Sequence, residues 1–423
     1  MERHADSQKP VYAWALYDWA NSAFATTVMA GFFPLFFKQY WSAGSDVTES
    51  TFQLGVANSL ASLLIIFIAP ALGAIADQGR ARKKFLYAFT LFGAGMTGGL
   101  YFVAQGAWLP AALLYVGASI GFFASLIFYD ALIVAIAPPE RYDRVSALGF
   151  ALGYLGGGVL FALNVAMTLK PHWFGLADAA AAVRLSFLTV AVWWLLFTLP
   201  LALWVPEPAG NGRGGFAAVA GGLRQLRDTF REVRRLRHVG LFLLAYWCYI
   251  DAVDTIIRMA VDYGLAIGFQ AESLIVALLI TQFVGFPAAV VFGRLGERFG
   301  ARAGIYLAIA VYSLVVLWAT RMQHEAEFYA LAVVIGLVQG GIQSLSRSVY
   351  ARLIPPDKSA EFFGFYNMLG KFAAVIGPIL VGWVSVASGS PRLSLLSLLV
   401  LFGLGAWFLS RVDLAQGERM ARE

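Results

Sequence analysis

The sequence predicts an all-α membrane protein of twelve transmembrane helices, arranged as two pseudo-symmetric six-helix bundles with both termini cytoplasmic. Three observations predict it. Apolar residues make up 60% of the chain and charged ones 13%, and a mean hydropathy of +0.71 is too high for a water-soluble globule. Apolar runs recur at lengths close to the roughly 20 residues that cross a hydrocarbon core. Two local patterns in the first half return in the second.

Apolar runs bounded by charges or Pro/Gly breaks place spans at 11–41, 52–76, 85–105, 108–137, 145–169, 183–205, 239–264, 271–293, 301–320, 326–353, 361–387 and 392–411. The first run is longer than a signal-peptide core and lacks a clear cleavage motif, so it is expected to be retained as a helix. Connections after even-numbered spans and the central linker collect Arg80, Arg82, Lys83, Lys84, Arg141, Arg144, Arg294, Arg298, Arg302, Arg352 and Lys358. Those after odd-numbered spans hold few, chiefly Lys170, Arg184, Arg321 and Arg392. Since basic loops stay inside, the termini and the linker are expected in the cytoplasm. The net charge of +6 is explained by this topology, without nucleic acid as a partner.

The expected units are an N-terminal bundle (1–205), a cytoplasmic linker (206–238) and a C-terminal bundle (239–423). In the linker, Leu223, Leu226, Phe230 and Val233 recur at helical spacing among arginines, which predicts an amphipathic helix on the lipid surface. GAIADQGRAR at 73–82 matches GRLGERFGAR at 293–302: a glycine, an acid four residues on, and an arginine five beyond (Gly73, Asp77, Arg82; Gly293, Glu297, Arg302). IAPPERYD at 136–143 answers LIPPDKSA at 353–360. Two markers at nearly one offset predict a tandem parallel repeat around a central cavity.

The first marker resembles the motif after the second span of major facilitator transporters. Longer strings extend the likeness: YDWANSAFATT (17–27), YDALIVAIAPP (129–139), SALGFALGYLGGG (146–158), GGIQSLSRSVYARLIPP (340–356) and EFFGFYNMLGKFAAVIGP (361–378). Together they resemble the major facilitator branch that groups fungal vacuolar amino-acid effluxers with related bacterial permeases. The resemblance implies the major facilitator fold, a cytoplasmic latch formed by the glycine–acid–arginine motif, and cavity-lining spans one, four, seven and ten. Short termini and a short first loop favour a bacterial plasma (inner) membrane over a vacuole.

Ionisable groups at membrane depth cost several kcal/mol unless paired, neutralised or wet, so each is a functional candidate. They are Asp18, Asp130, Asp251, Asp254, Arg258, Arg347 and Lys371. At about 1.5 Å rise per residue, Asp18 and Asp130 lie roughly 10 Å from the cytoplasmic ends of their spans and can meet at one level. Arg347 and Lys371 fall at comparable or slightly greater depth in the other half, and Asp251 and Asp254 nearer the midplane. Asp18, Asn21 and Ser22 share one helix face, and Asp251 and Asp254 repeat the three-residue spacing. Asp254 and Arg258 are spaced for an intrahelical pair. Three roles remain open for these groups: binding the two ends of a zwitterion, carrying a proton, or forming inter-helix gate pairs. Tyr17, Trp19, Tyr129, Tyr246, Trp247, Tyr249, Tyr350 and Tyr366 flank them, as packing residues or as a pocket floor.

Enzymatic signatures are missing. LGKFAAV around Lys371 has Phe365 and Phe372 where a phosphate-binding loop needs glycine and a hydroxyl. His4, His172, His238 and His324 show no metal spacing, the single Cys248 forms no intramolecular disulfide, and no cofactor is expected. The expected function is secondary active transport of a small solute, an amino acid or other zwitterionic or anionic metabolite, by a monomer in contact with lipid and with protons as possible partners. The alternatives are proton-coupled export of lipophilic or cationic compounds, or a non-transporting receptor or scaffold on the same fold.

Overall fold

A computed structural model describes residues 8–44, 47–207, 236–266 and 271–422. The expected amphipathic helix of the linker lies outside the described residues. The main helices are α1 (Lys9–Trp41), α2 (Val47–Gly79), α3 (Arg82–Gly99), α4 (Trp108–Ala131), α5 (Tyr142–Leu169), α6 (Ala179–Trp204), α7 (Arg237–Ala266), α8 (Ala271–Phe299), α9 (Ala301–Ala319), α10 (Glu325–Leu353), α11 (Ser359–Ser388), α12 (Leu398–Ser410) and the short α13 (Leu414–Met420). There is no strand among the described residues. Among them, ten helices are long and apolar enough to cross a membrane, or eleven if the pair Leu395–Ser410 and Leu414–Met420, bent by 64°, is one span. The thirty-residue α11 stands outside that count.

Side-chain placement is that of a protein dissolved in lipid. Phe52, Phe67, Leu91, Phe102 and Leu203 are exposed, whereas Trp14, Trp41 and Trp194 are fully buried. Where the outer solvent is as apolar as leucine, close backbone approach replaces hydrophobic exclusion as the packing force. Gly121 of α4 faces Gly93 of α3 so closely that a methyl group on Gly121 would stand 2.5 Å from the Gly93 Cα. In α1, the ladder widens to π-helical turns over Phe24–Phe32 and Phe37–Trp41. Pro34 lies between them and has no N–H to give to the ladder, which accounts for some local rearrangement.

Helix pairings recur six helices on. In the first six, α1 packs on α5 and α6, α2 on α4, and α3 on α4; in the next six, α7 packs on α11 and α12, α8 on α10, and α9 on α10. Contacts between the two sets obey the same exchange, with α2 on α11 and α5 on α8, supplemented by α5 on α10 and α4 on α11. One end of the bundle, here the terminal end, holds the start of α1, the α2–α3, α4–α5, α8–α9 and α10–α11 connections, and α13. There Lys83 donates to the Val205 and Ala202 carbonyls at 2.5 and 3.2 Å, closing the α6 C-terminus, while Glu207 accepts the Lys83 N–H of the first turn of α3. Burial raises the Glu207 carboxyl above its ordinary range against the opposing pull of that N–H.

Gly121→Val is expected to lower stability by about 1–3 kcal/mol, because the added methyl groups force α3 and α4 apart. Thermal unfolding in detergent, followed by tryptophan fluorescence, measures it; an unchanged midpoint would show that the two helices can separate without loss.

Candidate functional site

The α10 segment Ser344–Ser348 alternates small hydroxyl residues with larger ones, and this lets a guanidinium lie between the two sets of helices. Arg347 is 2% exposed. Its Nη1 donates to Asp130 Oδ1 of α4 at 3.0 Å, its Nε to Ser146 Oγ of α5 at 2.9 Å, and its Nη2 to the Ser146 carbonyl at 2.9 Å. Asp18 Oδ2 of α1 lies 3.5 Å from the same Nη2. The cation also sits over the rings of Trp14, Tyr129 and Phe150, at 4.8, 5.3 and 4.4 Å from their centroids. The rigid planar fork of arginine meets several acceptors at once, which a lysine ammonium does not.

Two buried carboxyl groups share one guanidinium, and neutral donors complete their hydrogen bonds. Tyr129 donates its hydroxyl to Asp18 Oδ2 at 2.9 Å, and Asn367 of α11 donates to Asp130 Oδ2 at 3.2 Å. Ser146 Oγ in turn donates to the Ser344 carbonyl at 2.8 Å, so α5 and α10 are joined in both directions. Asp18, Asp130 and Arg347 thus come together at one level.

Two further layers close the terminal end. Nearer the surface, Arg352 of α10 pairs with Asp143 of α5 at 2.9 Å and donates to the Pro139 carbonyl at 3.1 Å, while Ser348 donates to Asp143. Alongside, Asp77 of α2 pairs with Arg82 at 2.6 Å and accepts the Ala360 and Glu361 N–H groups at 3.3 and 2.9 Å. Those amides open α11, whose first-turn N–H groups lack intrahelical partners and favour a carboxylate. Arg82 also donates to the Asp357 carbonyl at 3.0 Å. Gly73 makes this approach possible, since a methyl group there would meet the Ala360 carbonyl. The turn is set by Arg80 at φ 52° and by Ala81 N–H on the Ala76 carbonyl at 3.1 Å, a left-handed stop that brings Arg82 back over Asp77.

The matching motif in the second half is used differently. Glu297 is exposed, and Arg302 turns to its own set, donating to the Ser410 and Val412 carbonyls at 2.9 and 3.2 Å and closing the end of α12. Gly293 packs against Ala147 of α5, and Gly300 at φ 86° takes the left-handed position that Arg80 holds in the first half.

Asp251 accepts the Gly377 N–H of α11 with both oxygens, at 2.9 and 3.0 Å. Lys371 Nζ lies 3.3 Å from the Phe123 ring centroid. The Arg258 side chain lies outside the described residues. A cavity of about 330 Å³ runs between the two sets, and its wall includes Asp18, Asn21, Asp130, Asp254, Arg347 and Lys371, with Tyr246, Tyr366 and Asn367. Tyr246 and Tyr366 stack at 4.1 Å between centroids. Among the described residues, the buried Asn21 Nδ2 has no hydrogen-bond partner. A second cavity of about 290 Å³, mostly apolar, shares Ala25, Thr26, Gln282 and Gln339 with the first. No group of three or more metal-ligating side chains occurs among the described residues.

Ser146, Asn367, Asp143 and Arg352 escaped the sequence reading. The available signal was the internal repeat: Asp143 ends the IAPPERYD marker, and Arg352 precedes its counterpart.

The family described as "Vacuole effluxer Atg22 like" matches residues 43–141 and 137–422. The chain belongs to this family. Among curated relatives, the uncharacterized MFS-type transporter YxiO of Bacillus subtilis is 37% identical, over 95% of this chain and 94% of its own length. Autophagy-related protein 22 of Coccidioides immitis is 25% identical, over 99% and 88%. Two solved structures share the fold. The proton:xylose symporter XylE superposes with a TM-score of 0.74 at 14% identity, covering 96% of this chain and 95% of that one. The human organic anion transporter MFSD10 superposes with a TM-score of 0.69 at 17% identity, covering 95% and 99%. This Atg22-like chain is therefore a multi-pass membrane protein of the major facilitator superfamily, a carrier and not an enzyme.

Arg347→Met is expected to cost about 3–5 kcal/mol by leaving Asp18 and Asp130 buried without their cation. Adding Asp18→Asn and Asp130→Asn should recover most of the loss in thermal unfolding. A triple variant no more stable than the single one would show that the aspartates are not what Arg347 offsets.

Proposed function

We propose that this Atg22-like protein is a secondary active transporter of a small zwitterionic or anionic metabolite, amino acids included, in a bacterial plasma membrane. Twelve spans cross the membrane, and α1–α6 rock against α7–α12 with the terminal end in the cytoplasm. The excess of Lys and Arg at that end supports the orientation. The observation that carries the reading is the cavity between the sets, lined by Asp18 and Asp130 from the first set and by Asp254, Arg347 and Lys371 from the second.

Arg347 is enclosed by Asp18, Asp130 and Ser146 and works as a gate in this closed arrangement. Lys371, half-buried at the cavity wall, is the cation that faces an incoming carboxylate, and Asp254 the acid that faces an ammonium. Parting the two sets at the terminal end breaks three layers together: Asp77 on the start of α11, Asp143 on Arg352, and Arg347 on its two aspartates. Solvent or solute then replaces those partners, and the cavity opens to the cytoplasm.

Counterflow in liposomes with a pooled library of amino acids and other charged metabolites tests this. Zwitterionic solutes are expected to exchange, and Lys371→Gln and Asp254→Asn to raise KM about tenfold, the size of one charge-assisted contact, with kcat little changed. If verified folded protein exchanges no pooled solute, the metabolite reading fails.

A further inference from the structure

Asp18 and Asp251 sit in like local patterns in the two sets. Each stands on the first helix of its set with a hydroxyl residue four positions on, Ser22 and Thr255, and each faces glycine on the fifth helix of that set. A methyl group on Gly149 would stand 2.8 Å from Asp18 Oδ2, one on Gly153 2.7 Å from Ser22 Oγ, and one on Gly377 2.7 Å from Asp251 Oδ1. The two carboxylates are nevertheless held differently. Asp18 faces a guanidinium from the opposite set, whereas Asp251, 1% exposed, has both oxygens on one backbone N–H of α11.

That N–H belongs to Gly377, the residue before Pro378. In a regular helix residue 378 would donate to the Ala374 carbonyl, but proline has no N–H to give. That turn of α11 gives Asp251 its donor at Gly377 and leaves the Ala374 carbonyl, one turn before, without the N–H that residue 378 would supply. An ionised carboxylate can use the donor. A protonated one can use both, its C=O receiving the Gly377 N–H and its O–H donating to the Ala374 carbonyl.

We propose that Asp251 is the coupling carboxylate of the transporter, binding and releasing one proton per cycle against the Gly377–Pro378 break in α11. Protonation removes the charge that grips the Gly377 N–H and adds a donor to the same turn. This changes the bend of α11, and Lys371 lies on that helix six residues, about 9 Å, before Gly377. The cavity wall reaches Asp254, one turn from Asp251 on α7. Among the described side chains on the helices packed against Asp251, the charged and titratable groups are Cys248, Tyr249 and Asp254 on α7, Tyr366 and Lys371 on α11, and Arg347 and Tyr350 on α10; Arg258, two turns on along α7, lies outside them. Tyr249 is bonded to Ser346 at 2.6 Å and Arg347 to Asp130. α12 brings none between Leu398 and Ser410.

The role rests on the transport reading, but its test needs no solute. Infrared difference spectra of the full chain in liposomes, recorded across a pH titration, should show, beside the bands of the other buried acids, one protonated-carboxyl component that is lost in Asp251→Asn and retained in Asp18→Asn and Asp254→Asn. Amide exchange in the α11 peptide containing Gly377 should change with the same midpoint. Pro378→Ala gives Ala374 an N–H partner and removes the acceptor for the acid proton. Its midpoint should fall by about one pH unit, a tenfold loss in proton affinity. Carboxyl bands that all survive Asp251→Asn, or a midpoint unmoved by Pro378→Ala, overturn the proposal. Should Asp251→Asn not fold, the Pro378→Ala shift decides alone. Failure of pooled counterflow would remove the transport reading and leave this titration standing.

Discussion

The guanidinium of Arg347 is the group on which the closed arrangement depends. A buried cation needs acceptors on every side, and most of its acceptors belong to the opposite set of helices: Asp18 on α1, Asp130 on α4 and both oxygens of Ser146 on α5. The requirement is mutual, because the two aspartates lie in an apolar aromatic setting and need the cation as much as it needs them. Such a cluster has no half-formed state of comparable energy. Under the proposed function the interface is bistable: either the sets meet at this level with the cluster formed, or they part and water or a ligand takes over.

The layers toward the terminal end explain how one internal repeat serves unequal duties. In the first half, Asp77 crosses to the opposite set and caps α11, and Gly73 removes the side chain that would keep α2 away. In the second half, Arg302 binds the end of α12 within its own set and Glu297 stays in solvent. The crossing contact on that side is supplied by another pair, Asp143 with Arg352. Pseudo-symmetry is thus kept in the helix pairings and broken in the chemistry.

Much of this was legible in the sequence, for a physical reason. Lipid penalises exposed charge, so Asp18, Asp130 and Arg347 stand out in apolar runs, and the regular rise of a helix places them at one level. The same penalty is silent where polar groups are common. Asp143, Ser146 and Arg352 lie near helix ends, where charge is ordinary, and Asn367 carries no charge at all. The partner of Asp251 was equally hidden, because a backbone N–H has no letter in the sequence; only Pro378 beside it marks the turn. The expected equivalence of the two latch motifs failed to foresee Arg302, since spacing specifies a turn and not which neighbour its arginine will reach.

Asp18 joins the gate to the cavity. Its carboxylate lies 3.5 Å from Arg347, accepts the Tyr129 hydroxyl, and also forms part of the cavity wall. Under the proposed function, a cationic group of the solute that approaches Asp18 competes with Arg347 for the same oxygens and so weakens the closed state. Linkage makes the effect reciprocal: closing the gate lowers affinity for that cationic group by the same factor by which the group favours opening. Selectivity in such a carrier then resides in the coupling of binding to opening, and a good ligand need not be a good substrate.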